Sequence, residues 1–155
     1  METLLARKKS VVVIKNRDQL CCARAIVTMK AWVDHGSRHP NYLDLRKGRP
    51  IQEKKAKELH RLADVPEGPC GLKELQQFQD ALPGYQIKVL AVDKPHSIIF
   101  YGKTPSHKRI LLIKVDDHYR GCNSYGGFLS RSYFCHDCNH GYNTEDIENH
   151  PCQGQ

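Results

Sequence analysis

The chain predicts an α+β fold, and three observations carry that expectation. A short β-branched run near the start reads as a buried strand. Three amphipathic helical stretches follow it, and then comes a run of strands joined by short turns, so helices and sheet are segregated along the chain.

The first strand is Ser10 to Lys15, whose centre holds four consecutive β-branched residues, Val11 to Ile14. Asn16-Arg17-Asp18-Gln19 reads as a turn with helix-capping character. From Leu20 to about Asp34 the pattern is helical, with Cys22, Ile26, Met29 and Val33 on one stripe, and His35-Gly36-Ser37 stops it. Residues 36–49 read as a polar connection containing Tyr42, Leu43 and Leu45. Pro50 suits the first position of a second helix reaching about Ala63. After the Pro66 to Gly71 break, Leu72, Leu75, Phe78 and Leu82 align on a third, ended by Pro83-Gly84. Strands follow at Tyr85 to Val92, Ser97 to Tyr101 and Arg109 to Val115, and another begins at His118, giving a mainly antiparallel sheet. Turn residues dominate from Gly126, which puts a boundary near Ser132: a body over 1–132 and a small tail over 133–155.

Composition bounds the function. At 155 residues the chain can bury a sizeable core, and its apolar fraction is 39%. No stretch approaches the roughly 20 apolar residues of a membrane span, so no membrane partner is expected. The start, Met-Glu-Thr-Leu-Leu-Ala-Arg-Lys-Lys, lacks the order of a signal peptide, and an intracellular protein of nucleus or cytoplasm is expected. Part of the formal charge of +7 sits at Arg7-Lys8-Lys9, from Arg46 to Arg49 and in Lys54-Lys55-Lys57. This basic surface permits contact with nucleic acid or another acidic partner, although a solvated basic face explains it equally well. Seven cysteines, an odd number clustered rather than spread, point to thiol and metal chemistry in a reducing compartment.

Cys135-His136-Asp137-Cys138 is a Cys-x2-Cys hook, followed by His150-Pro151-Cys152. Zinc takes four soft or borderline ligands in a tetrahedron, and a hook supplies two from one turn. Cys135, Cys138, His150 and Cys152 make the expected set for a structural Zn2+, with His140 as an alternative to His150. His136 is less suited, being inside the hook. A tail this poor in apolar residues would draw its folding free energy from the metal.

Three segments carry a resemblance to a known family: Asn16 to Thr28 (NRDQLCCARAIVT), Leu45 to Gly71 (LRKGRPIQEKKAKELHRLADVPEGPCG), and His118 to Cys152 with its GCNSYGGFLSRSYFC core. Together they resemble the N-terminal region of the protein-primed type-B DNA polymerases of Polinton/Maverick transposons. That resemblance implies a piece of a much larger polypeptide serving DNA replication. The polymerase's aspartate motifs are not here, so no polymerase activity is expected.

A second resemblance is mechanistic. Asp18-Gln19-Leu20-Cys21-Cys22-Ala23-Arg24-Ala25-Ile26 is similar to the Asp-Gly-Asn-Cys-Leu-Phe-Arg-Ala-Ile nucleophile motif of ovarian-tumour (OTU) cysteine proteases, which remove ubiquitin. Ile110-Leu111-Leu112-Ile113 and then Asp117-His118-Tyr119 resemble the strand and His-Tyr that end that catalytic core. The resemblance implies an OTU-like, papain-type domain, a deubiquitinase acting on ubiquitin or a ubiquitin-like protein. Its site residues would be Cys21, His118, Asp18 and Asn123.

Chemistry makes sense of these positions. A thiol attacks only as thiolate, and a helix N-terminus favours that form, which suits Cys21; Cys22 shares the buried stripe and reads as core. Backbone N–H groups of 18–21 would form an oxyanion hole. His118 would take the thiol proton and return it to the leaving amine. The family carries an acidic or amide residue two after the histidine to hold its ring, and here that position is Arg120. Asn123, Asp116 and Asp117 are the nearby side chains able to stand in, so activity is expected to be weak. The competing expectation is a non-catalytic, zinc-anchored accessory domain that binds nucleic acid or protein.

Overall fold

The computed structural model describes residues 10–16, 18–92, 97–129 and 133–142. Its elements run β1 (Val11–Val12), α1 (Cys21–His35), α2 (Pro40–Arg46), α3 (Pro50–Ala63), α4 (Leu72–Asp80), β2 (Gln86–Ala91), β3 (Ser97–Tyr101), β4 (Arg109–Val115), β5 (His118–Cys122), α5 (Tyr125–Phe128), β6 (Tyr133–Cys135) and β7 (His140–Tyr142). The fold is α+β.

Five strands form one sheet in the order β1-β5-β4-β2-β3, and β6 pairs with β7 in a separate hairpin. The sheet is mixed. β1–β5, β5–β4 and β2–β3 pair antiparallel, but β2 and β4 run parallel, with Ile87 opposite Ile110 and Val89 opposite Leu112. After β2 the chain turns outward to make the edge strand β3, then returns past β2 to lay down β4. Nothing in the apolar runs distinguishes that return from a simple meander.

Both faces of the sheet are covered, which is why β4 is apolar without alternation. Ile110 and Leu112 join Val12, Ile87, Val89 and Tyr119 in the core beneath α1, α3 and α4. Leu111, Ile113 and Val115 point the other way, to a second core with Val11, Leu90, Cys122, Tyr125 and Phe128. Phe134 of the hairpin packs against this second core and meets the Tyr125 ring edge-on at 5.2 Å. The Cys-x2-Cys hook is therefore docked on the body. The proposed division at 132/133 falls beside residues 130–132, which lie outside the described residues.

Helix α1 is the centre of the molecule. Cys22, Ile26 and Met29 are buried as the stripe requires, while Val33 is only half-buried; Ala23, Ala25 and Thr28 are buried too. Helix and sheet approach so closely that a Cβ at Gly121 would overlap the Met29 side chain, with Cγ at 2.7 Å. Only glycine permits that contact. The stretch expected as an irregular connection contains a further helix, α2. His39 caps it by accepting from the Asn41 N–H, Pro40 takes its first position, and Tyr42 and Leu45 are buried. With a single turn's worth of apolar positions, its periodicity is too short to read.

Candidate active site

Cys21 is the first residue of α1. Its thiol reaches the Asp117 carbonyl oxygen at 3.9 Å, a long sulfur contact, and its sulfur accepts from the Tyr119 backbone N–H. The residue between those two is His118. A two-residue turn, Asp116-Asp117, with Asp116 at φ 55°, pairs Val115 with His118 and carries the imidazole to this end of the sheet. Asp tolerates the left-handed region better than most side chains, which suits it to the turn.

The ring of His118 has a definite partner. Its Nε2 lies 3.0 Å from the carbonyl oxygen of Ile14, on the segment leaving β1. A carbonyl can only accept, so in the neutral ring Nε2 carries the proton and Nδ1 holds the lone pair.

Asp18 bears on the Cys21 sulfur only through its charge, a minor upward push on the thiol; its hydrogen bonds go elsewhere. Its Oδ2 pairs with Arg24 Nη2 at 2.6 Å, and its Oδ1 accepts from Arg24 Nε at 3.3 Å, from the Leu20 N–H at 3.1 Å and from Asn16 Nδ2 at 3.0 Å. Burial works to raise the Asp18 carboxyl, but Arg24 and the other donors outweigh it and hold it down at about 2. Arg24 is itself buried and reaches Gln52 Oε1 at 2.9 Å, while Gln52 Nε2 donates to the Leu45 carbonyl at 2.7 Å. The Asp and Arg of the motif thus shape the loop that delivers Cys21 and tie it to α3 and the end of α2. The Leu20 N–H is used in this way, so an oxyanion hole would draw on its neighbours in the loop.

Asn123 stands at the wrong end of β5. Its N–H donates to the Ser10 carbonyl, and the strand separates it from His118 by five residues, about 16 Å at ~3.3 Å each. It cannot orient the imidazole. Arg120 is buried within the sheet, opposite Ile113, rather than standing in solvent beside the histidine.

Burial pushes the Cys21 thiol up, and nearby Cys70 adds to this; hydrogen bonds from the Tyr119 and Cys22 N–H groups oppose it. Cys22 is fully inside, as expected of a core residue, and burial raises its thiol well above the ordinary range.

Comparison with protein-family models, characterised proteins and solved structures finds no match to this chain.

At the other end, Cys135 closes β6, Cys138 lies in the following turn, and His140 sits across the hairpin from Cys135. His150 and Cys152 lie outside the described residues, and among the described residues no three His, Cys, Asp or Glu side chains converge as metal ligands. His136 turns toward Phe134, ring centroids 4.9 Å apart, and burial holds its imidazole down at about 3. Lys88, almost wholly buried on β2, holds the hook by donating to the His136 carbonyl at 3.0 Å and to Asn139 Oδ1 at 2.6 Å. Of the basic runs, Arg49 pairs with Asp44 at 3.3 Å and Lys57 with Glu53 at 2.9 Å; Arg7-Lys8-Lys9 lies outside the described residues. No described helix is long and apolar enough to cross a membrane.

Three groups near these residues escape sequence reasoning: the Ile14 carbonyl beside His118, Cys70 near Cys21, and Lys88 under the hook. A backbone carbonyl has no residue-type signature. Cys70 and Lys88 are visible only as isolated residues until the fold gives them neighbours.

Proposed function

We propose that this chain is an OTU-like cysteine protease domain, with Cys21 as nucleophile and His118 as general base, acting on ubiquitin-type isopeptides or on its own polyprotein. Its setting is the N-terminal part of an intracellular, protein-primed type-B polymerase of the Polinton/Maverick kind. One observation carries the reading: the Cys21 sulfur rests on the backbone flanking His118, while that histidine's Nε2 is engaged by Ile14 and its Nδ1 keeps a lone pair. Nδ1 takes the thiol proton as sulfur attacks the carbonyl carbon, then gives it to the departing amine; water hydrolyses the thioester and restores the thiol. Asp18 and Arg24 are positioning residues, since they form the loop without touching the sulfur. The Ile14 carbonyl takes the orienting role that Asn123 cannot reach.

The hook would hold a structural zinc through Cys135 and Cys138 together with His150 and Cys152. The donor types suit that metal, which would supply folding free energy to the tail.

A second reading, a non-catalytic accessory domain that binds protein or nucleic acid, is favoured by the upward push on the Cys21 thiol. Covalent capture separates the two. A ubiquitin bearing a C-terminal thiol-reactive electrophile should label the folded chain, Cys21→Ala should abolish labelling, and Cys22→Ala should retain it in whatever fraction stays folded. Folded chain that takes no label from this probe or from ubiquitin-like analogues leaves the accessory reading.

A further inference from the structure

The sulfurs of Cys22 and Cys70 lie 3.1 Å apart, the Cys70 thiol donating to the Cys22 sulfur. Both are reduced. They are 48 residues apart in sequence, Cys22 in the first turn of α1 and Cys70 on the segment leading into α4, so only the fold makes them neighbours. The approach is guided from outside the pair: the Tyr119 hydroxyl donates to the Cys70 carbonyl at 2.7 Å and pins that segment over the start of α1. Cys70 is partly exposed, whereas Cys22 is closed off from solvent. One sulfur is reachable by a small oxidant, and the other waits against it. Neither takes part in the chemistry assigned to Cys21 and His118.

We propose that Cys22 and Cys70 form a reversible, peroxide-driven disulfide that locks the 65–71 segment onto the N-terminus of α1, directly behind Cys21. The Cys70 sulfur attacks hydrogen peroxide, breaking O–O, forming S–O and releasing water. The Cys22 sulfur then attacks the Cys70 sulfenic acid, S–S forms, S–O breaks, and a second water leaves with the thiol proton. The two sulfurs together lose two electrons and the peroxide gains them. Bonding draws the sulfurs to about 2.0 Å. The device stands apart from the protease reading, because its first readout is covalent and needs no substrate.

The test uses the whole chain, reduced, exposed to hydrogen peroxide, alkylated and digested. The expected product is a peptide containing Cys70 joined to the one spanning Asp18 to Arg24, lighter than their sum by two hydrogens and separated again by dithiothreitol. Fragmentation between Cys21 and Cys22 places the bond at Cys22 in the unmodified sequence, without relying on a variant's folding. Cys21→Ser should keep the crosslink and Cys70→Ser should lose it. A crosslink that fragments to Cys21, or Cys70 carried on to its sulfinic acid with no crosslink formed, overturns the proposal.

Discussion

The imidazole of His118 is held by the main chain of Ile14, Nε2 to carbonyl oxygen at 3.0 Å, across a gap of 104 residues in sequence. β1 pairs antiparallel with β5, Val12 opposite Gly121, and continuing that register brings the residues after β1 alongside the start of β5. The segment leaving β1 thus brings a backbone acceptor to the His118 ring. Because a carbonyl is never protonated in this range, the tautomer it selects does not depend on a neighbouring charge.

Arg120→Asp is consequently expected to give no gain in activity, although it restores an acidic residue at the motif position. Arg120 is buried, and a carboxylate placed in the sheet should cost about 2–4 kcal/mol. Urea denaturation would measure the loss, and electrophile labelling of the folded fraction would remain at the wild-type level. A rise in labelling would mean that Ile14 does not orient the ring. The nitrogen shifts of His118 give a direct check, with the proton expected on Nε2.

Cys21 should react as a half-buried thiol in the free protein. Burial pushes its ionisation upward, so alkylation by iodoacetamide should keep climbing beyond the pH at which a free cysteine has levelled off. His118→Ala should leave that alkaline rise nearly unchanged while removing labelling by the ubiquitin electrophile. A plateau of alkylation at neutral pH would instead reveal a resting thiolate–imidazolium pair.

Asp18→Asn should lower stability by about 1–2 kcal/mol. An unpaired buried cation would cost about 3–5 kcal/mol. Here Asp18 is about a third exposed, and Glu53 stands 3.7 Å from Arg24 to take part of its place. Because the Asp18 carboxyl is held at about 2 against an ordinary 3.8, its contribution is complete above 3.8 and is lost as pH falls through about 2. Solvent screening holds that term to about 1 kcal/mol. Acid titration of the wild type and the variant, followed by circular dichroism, should converge at the low end of that window.

Protein purified without chelator should carry about one equivalent of zinc, as a closed four-ligand site requires. Cys135→Ser should remove it. Lys88→Met should weaken the hook's attachment while leaving the metal in place, since Lys88 binds the His136 carbonyl and Asn139 rather than a sulfur. Limited proteolysis near the hook, with metal analysis of the same sample, distinguishes the two effects. A folded wild-type sample without zinc would remove the metal from the proposal.

By itself the sequence determined the local structure: the helix opened by Cys21, the helices beginning at Pro50 and Leu72, and the strands from Gln86 to Cys122. It did not determine the Asp18–Arg24 pairing: the resemblance set Asp18 among the site residues, and the folded loop turns that carboxylate onto Arg24 instead. Tertiary structure decided the rest. The parallel pairing of β2 with β4 depends on a chain return that leaves the apolar pattern unchanged, since both sheet faces are buried either way. Helix α2 is defined by what Tyr42 and Leu45 pack against, more than by a period in its seven residues. The Ile14 carbonyl beside His118 and the Cys70 sulfur beside Cys22 are juxtapositions of groups whose identity says nothing of their partner. A carbonyl is common to every residue, and a thiol's role depends on what lies within a few ångströms of it, a distance only the folded chain sets.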